Sequence, residues 1–157
     1  EIKKSFKKAY KKDLESAVKS ETSGDLKNLL LELISGKKEK SSKVDQKKAL
    51  ETAKALHENP SQIVGQLFKS PSAQIKATAD AYRKEYNEDI SESIKKASSG
   101  DIDDAYLALL KSTENPAEYF AQRLNKSING IGTNDTQLIW TITSRSELDL
   151  PAIKGQY

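Results

Sequence analysis

Residues a fixed distance apart in this chain carry the same chemistry, and that constrains the fold more than any composition does. Placing Gly24 on Gly100, an offset of 76, also places Phe6 on Tyr82, Tyr10 on Tyr86, Asp13 on Asp89, Leu14 on Ile90, Val18 on Ile94, Asp25 on Asp101 and Leu26 on Ile102. An offset of 75 places Asn59 on Asn134, Gln62 on Gln137, Ile63 on Leu138, Val64 on Ile139, Leu67 on Ile142 and Tyr82 on Tyr157. A period near 75 exceeds the roughly 33–47 residues of the common helical-hairpin arrays. Each unit must therefore hold more than two helices.

Within a unit, apolar residues recur at steps of three and four, the spacing that gathers them on one side of a helix. Ile2, Phe6, Ala9, Tyr10, Leu14, Ala17 and Val18 make one such stripe, expected to be buried. Leu26, Leu29, Leu30, Leu33 and Ile34 make the next, after Thr22-Ser23-Gly24-Asp25, whose small polar residues suit the start of a helix. These two are expected to form a hairpin. Residues 37–44, polar and mostly basic after Gly36, are expected to be a solvated linker. Beyond them a helix is expected over about 45–58, Asn59-Pro60 starts another with proline at its first position, and Pro71 ends it. Ala79, Tyr82, Tyr86, Ile90 and Ile94 then form a single stripe over 79–96, and Ser98-Ser99-Gly100-Asp101 repeats the earlier break before Ile102, Ala105, Tyr106, Leu109 and Leu110. Asn115-Pro116 starts a helix that runs to a glycine loop, a further one spans about 134–145, and Ser146 with Asp149 is expected to cap the last. The fold is read as all-α, with five helices per unit.

Charge and cysteine content narrow the functions open to such a chain. The 26 basic and 23 acidic residues interleave, leaving a net charge of only +3, which speaks against a dedicated nucleic-acid surface. With no cysteine there is no disulfide, as suits a reducing cytosol. Apolar runs such as Leu29-Leu30-Leu31, which stops at Glu32, fall far short of the roughly 20 residues that span a bilayer, and the charged amphipathic amino terminus is not expected to be a signal peptide. Any membrane contact is expected to be peripheral, from a cytoplasmic location. No catalysis is expected: His57 is the sole histidine, read as an exposed loop residue, and no Ser/His/Asp set exists. Trp140, between Ile139 and Ile142, is expected on a core or groove wall. Lys3, Lys4, Lys7, Lys8, Lys11 and Lys12 read mainly as a solvated face.

The chemistry concentrates in Ile128-Asn129-Gly130-Ile131-Gly132-Thr133. Glycine reaches positive φ at little cost, so two glycines one residue apart let neighbouring carbonyls converge instead of pairing along a helix. Converged oxygens suit calcium.

With Asn134-Asp135 after it, Ser144-Arg145-Ser146-Glu147 at the next helix exit, Ser20 to Asp25 in the first hairpin and a 75-residue period, the chain resembles the annexin family. That resemblance implies five-helix repeats in a right-handed superhelix, one whole repeat flanked by two partial ones: 1–36 the last two helices of one repeat, 37–44 a linker, 45–112 a complete repeat and 113–157 the first helices of the next. A whole annexin is about twice as long. It implies binding to acidic phospholipid membranes, with the carbonyls of Ile128, Gly130 and Gly132 on calcium, Thr133 and Asp135 at a weaker site beside them, and Glu21 in the place of the capping carboxylate. Three carbonyls and a bidentate carboxylate fill about five of calcium's six to eight oxygen positions, leaving room for a lipid phosphate. Glu21 and the glycine loop belong to different repeats. In the complete repeat Ala55 and His57 are read in place of the two glycines and Ala97 in place of Glu21, so that repeat is expected to bind no calcium at this site. The two partial repeats could complete each other, within one chain or between two. Arg145 resembles the family's structural arginine, expected to pair with an acid. A rival expectation is a calcium-independent helical scaffold or cytoskeletal partner, as in giardin-like members.

Overall fold

A computed structural model describes residues 2–36, 42–129 and 132–157. Its helices are α1 (Ile2–Tyr10), α2 (Leu14–Glu21), α3 (Gly24–Ser35), α4 (Gln46–Glu58), α5 (Pro60–Leu67), α6 (Ser72–Tyr86), α7 (Ile90–Ala97), α8 (Asp101–Glu114), α9 (Pro116–Ile128), α10 (Asp135–Arg145) and α11 (Leu150–Gln156). No strand occurs among the described residues. Two compact units result, Glu1–Leu107 and Ala108–Tyr157. Of the expected linker, 37–41 lies outside the described residues and 42–44 is exposed and irregular.

The backbone repeats along with the sequence. Lys11 and Asn87, 76 apart, are the two non-glycine residues with positive φ among those described, at 56° and 52°. Gly24 and Gly100 follow at 57° and 72°. Asp13 caps α2 by accepting from the Ser16 amide, and Asp89 caps α7 by accepting from the Ser91 amide. At Asp89 burial pushes the pKa up, but the Ser91 hydrogen bonds and Arg83 outweigh it and leave the carboxyl below its ordinary value.

Those left-handed residues break the stripes expected to be continuous. What reads as one helix over 2–18 is α1 and α2, and what reads as one over 79–96 is the end of α6 and α7. The stripe on α1 is also not buried: Ile2 is 77% exposed and Tyr10 66%. Its counterpart on α6 is buried, with Tyr82 fully enclosed. The Thr22–Asp25 segment caps the helix before it instead of the one after: Thr22 Oγ1 donates to the Val18 carbonyl at 2.6 Å, and Ser98 does the same to Ile94 at 3.0 Å.

The first unit is built on α4 to α7. Ala49, Ala53 and Leu56 of α4 pack toward α6, whose Ile75 and Ala79 are fully buried, while Val64 and Leu67 of α5 and Ile90 and Ile94 of α7 close the other side. Removing such a buried leucine or isoleucine to alanine costs about 2–5 kcal/mol. Through this core runs a polar chain: the buried Tyr82 hydroxyl lies 2.6 Å from Ser93 Oγ and 2.9 Å from His57 Nδ1. His57 also stacks on Tyr86 at 3.8 Å. His57 is exposed, as expected, but it is no loop residue: it belongs to the last turn of α4 and is held by two tyrosines.

In the second unit, Ala121 and Leu124 of α9 and Ile153 of α11 form a core, with Ala117, Phe120 and Leu138 against it. The expected Ser146–Asp149 cap is not made. Asp149 accepts instead from Arg145, at 2.8 Å from Nε and 2.5 Å from Nη2. Two parallel bonds to a planar guanidinium hold better than one to an amide, and the same guanidinium lies 4.4 Å over the Phe120 ring. Arg145 therefore pairs with an acid as expected. Trp140 stands on the surface of α10, 55% exposed, not in a core.

Candidate functional site

The site follows from how α9 ends and α10 begins. Asn115 starts α9 by accepting from the Glu118 amide, and Pro116 takes the first turn, where its missing N–H is no loss. The helix ends at Ile128, and Asn129 leaves it extended, at φ −90° and ψ 105°. Gly132 is left-handed at φ 86°, with open space where a Cβ would stand, so the backbone conformation alone asks for glycine there. Asn134 then re-enters helix: its side chain accepts from the Gln137 amide at 3.0 Å, and its own amide donates to the Ser127 carbonyl at 2.8 Å. That last bond clamps the two ends of the loop. Gln137 Nε2 adds a second tie, to the Arg123 carbonyl at 3.0 Å.

Of the residues expected to hold calcium, Ile128 ends α9, Gly132 and Thr133 lie in the irregular loop and Asp135 opens α10, all four exposed. Gly130 lies outside the described residues, as does Ile131 between it and Gly132. Among the described residues, no backbone amide outside the helix interiors donates to the carbonyls of Ile128, Gly132 or Thr133. Glu21 ends α2, exposed, in the other compact unit. No three or more His, Asp or Glu side chains gather as a metal set among the described residues. The clamp by Ser127 and Asn134 is missing from the sequence reading. Its visible half is an asparagine just before an acid at a helix start.

The stretch over 45–112 differs more deeply than by substitution. Buried Ala53 and Leu56 of α4 match buried Ala121 and Leu124 of α9 at an offset of 68, whereas Pro60 and Asp135, which open α5 and α10, are 75 apart. The α4–α5 joint is therefore seven residues shorter than the α9–α10 joint. Only Asn59 separates α4 from α5, and its amide donates to the Ala55 carbonyl at 2.8 Å as an ordinary helical continuation. Ala55 and His57 accordingly do not stand where Gly130 and Gly132 stand. They lie inside α4, and the loop itself is missing because α4 runs directly into α5.

The first unit also holds a polar cleft of about 390 Å³ lined by Asp25, Asn28, Glu32, Lys69 and Tyr106 among others. Burial, and then the charge of Asp25, raises the Tyr106 pKa. No helix among the described residues is long and apolar enough to cross a membrane.

The annexin family model matches residues 1–33, 49–109 and 119–157. Human annexin A13 is 35% identical over 164 residues, covering 99% of this chain and 52% of that protein, so the chain spans about half the length of such relatives. Among solved structures, annexin III superposes with a TM-score of 0.90 at 33% identity, over 99% of this chain and 51% of that one. Calcium-bound annexin (Sm)1 superposes at 0.86 with 25% identity, over 99% and 49%. With three matched segments that follow its own helical repeats, this chain belongs to the annexin family.

Proposed function

We propose that this chain binds acidic phospholipid surfaces through calcium, held at the α9–α10 loop by the carbonyls of Ile128, Gly130 and Gly132. Thr133 and Asp135 supply a second, weaker set beside them. The observation that carries this reading is the loop over 129–134, non-helical at both described ends, left-handed at Gly132 and clamped by Asn134 on Ser127. A clamped loop holds its oxygens in place before the ion arrives, which lowers the entropy lost on binding. Without a carboxylate cap the ion keeps open positions and unbalanced charge, and an anionic head group supplies both an oxygen and a countercharge. The lysines of α1 add attraction of roughly 1 kcal/mol for each that comes near an anionic surface. Membership of the annexin family, and the likeness to a calcium-bound annexin (Sm)1, support the reading.

The test is cosedimentation of the 157-residue chain with phosphatidylserine vesicles, in calcium and in chelator. Calcium-dependent pelleting is expected, weakened severalfold in Asp135→Asn and more strongly in Gly132→Val. Pelleting that ignores chelator, or none at all, would instead favour a second reading, a calcium-independent helical scaffold or cytoskeletal partner. One observation favours that reading: α4 runs into α5 without such a loop, so among the described residues the α9–α10 joint alone keeps one.

A further inference from the structure

Two ties cross from α10 to α9, and they lie one turn apart. Asn134 donates its backbone amide to the Ser127 carbonyl at 2.8 Å, and Gln137 donates its side-chain amide to the Arg123 carbonyl at 3.0 Å. Arg123 and Ser127 are four residues apart, Asn134 and Gln137 three, so each pair shares one face of its helix. One bond between two rods is a pivot, whereas two in line fix both angle and register. The groups that make the ties are themselves held. Gln137 is half-buried, and its own carbonyl accepts from the hydroxyl of the fully buried Thr141 at 2.8 Å. On α9, Ser127 is buried too, and its hydroxyl donates to the Leu124 carbonyl at 2.7 Å.

The ties also decide which carbonyls stay open where α9 ends, a place at which four carbonyls lack an intrahelical partner. That of Asn125 accepts from the Asn129 amide and that of Ser127 from the Asn134 amide, both at 2.8 Å. The next along, that of Ile128, accepts from no backbone amide outside the helix interiors among the described residues. The other joint offers a comparison. At an offset of 75 Gln137 falls on Gln62, where there is no loop, and among the described residues no hydrogen bond joins the Gln62 side chain to α4; it lines the polar cleft instead. The tie is present where a loop must be held and absent where helix runs into helix.

We propose, on the calcium reading given above, that Gln137 is a positioning residue for the ion: its bond to Arg123 fixes how α10 leaves α9. The Ile128 end of the loop and the Gly132–Asp135 end are thereby kept at the separation the ion requires, although Gln137 does not touch it. Removing a group that orients the ligands of a metal without being one weakens binding by about 10- to 100-fold.

The experiment is a calcium titration of the 157-residue chain without lipid, followed by the amide shifts of Thr133 and Asp135, on the parent, Gln137→Met and Gln62→Met. Methionine keeps the length and helix preference of glutamine and removes only the amide. Gln137→Met should bind calcium about tenfold more weakly, with the clamp still in place, and Gln62→Met as tightly as the parent. In chelator the Asn134 amide of Gln137→Met should exchange with solvent severalfold faster, while the amides of α4 and α6 keep the parent rate. A side chain that merely added stability would speed exchange across its whole unit and leave calcium affinity unmoved. If Gln137→Met loses helix by circular dichroism, Gln137→Asn, which keeps the amide but falls one methylene short of Arg123, replaces it under the same criteria. Parent affinity in the variant, or weaker binding with Asn134 exchange unchanged, would overturn this proposal alone. A parent chain that takes up no calcium overturns it together with the membrane reading.

Discussion

Lys11 and Asn87 occupy the same left-handed bend of successive repeats, yet only asparagine is suited to it. For a residue with an ordinary side chain that conformation costs about 1–2 kcal/mol, and asparagine relieves part of this by bonding its own backbone. Lys11→Asn should therefore raise stability in urea titration, by up to about 1 kcal/mol, while Asn87→Ala should lower it by a similar amount. The difference also explains what could be read from sequence. Asn87 is a recognisable turn residue, but nothing about Lys11 announces a break, and an apolar stripe runs on through both. Tyr82 is a second case. Its periodicity places it in a core, but its hydroxyl ties to Ser93 and His57 only once α4, α6 and α7 are packed. Tyr82→Phe leaves the buried Ser93 without that partner, and a loss of about 1–3 kcal/mol is expected in the same titration.

Helices were visible wherever a cap and a period agreed, as at Asp45, Asn59-Pro60 and Asn115-Pro116. Joints were less so. A fixed offset slides across the α4–α5 joint and matches Ala55 and His57 to glycines, since it cannot sense residues that are gone; burial of Ala53 and Leu56 restores the register. The Arg145–Asp149 pair joins α10 to α11 and sets a pH response. The bidentate bond from Arg145, then burial in the opposite sense, leaves the Asp149 carboxyl below its ordinary value, and Asp149 reciprocally raises Arg145. A depressed carboxyl contributes stability that is present above its unfolded pKa of about 3.9 and lost as pH falls through the folded one. Asp149→Asn should thus unfold more easily than the parent at pH 7, and the gap should close progressively below about pH 4 in acid-jump denaturation. A constant gap down to pH 2 would show that the pair does not titrate in this way.

At the scale of the whole chain the repeat decides most of the outcome, and it was legible because caps, left-handed turns and apolar positions recur together at 75 and 76. The exposure of α1 and of the α10 face was not, since an apolar stripe records what a helix can bury and says nothing about whether its partner is at hand. The same limit applies to Trp140, expected on a core or groove wall from its neighbours and found 55% exposed, outside any core. That placement has a practical result. As the sole indole in the chain, Trp140 colours the fluorescence of the entire protein from a single surface spot, so its emission is an intrinsic optical gauge, red in water and blue when anything apolar settles over it.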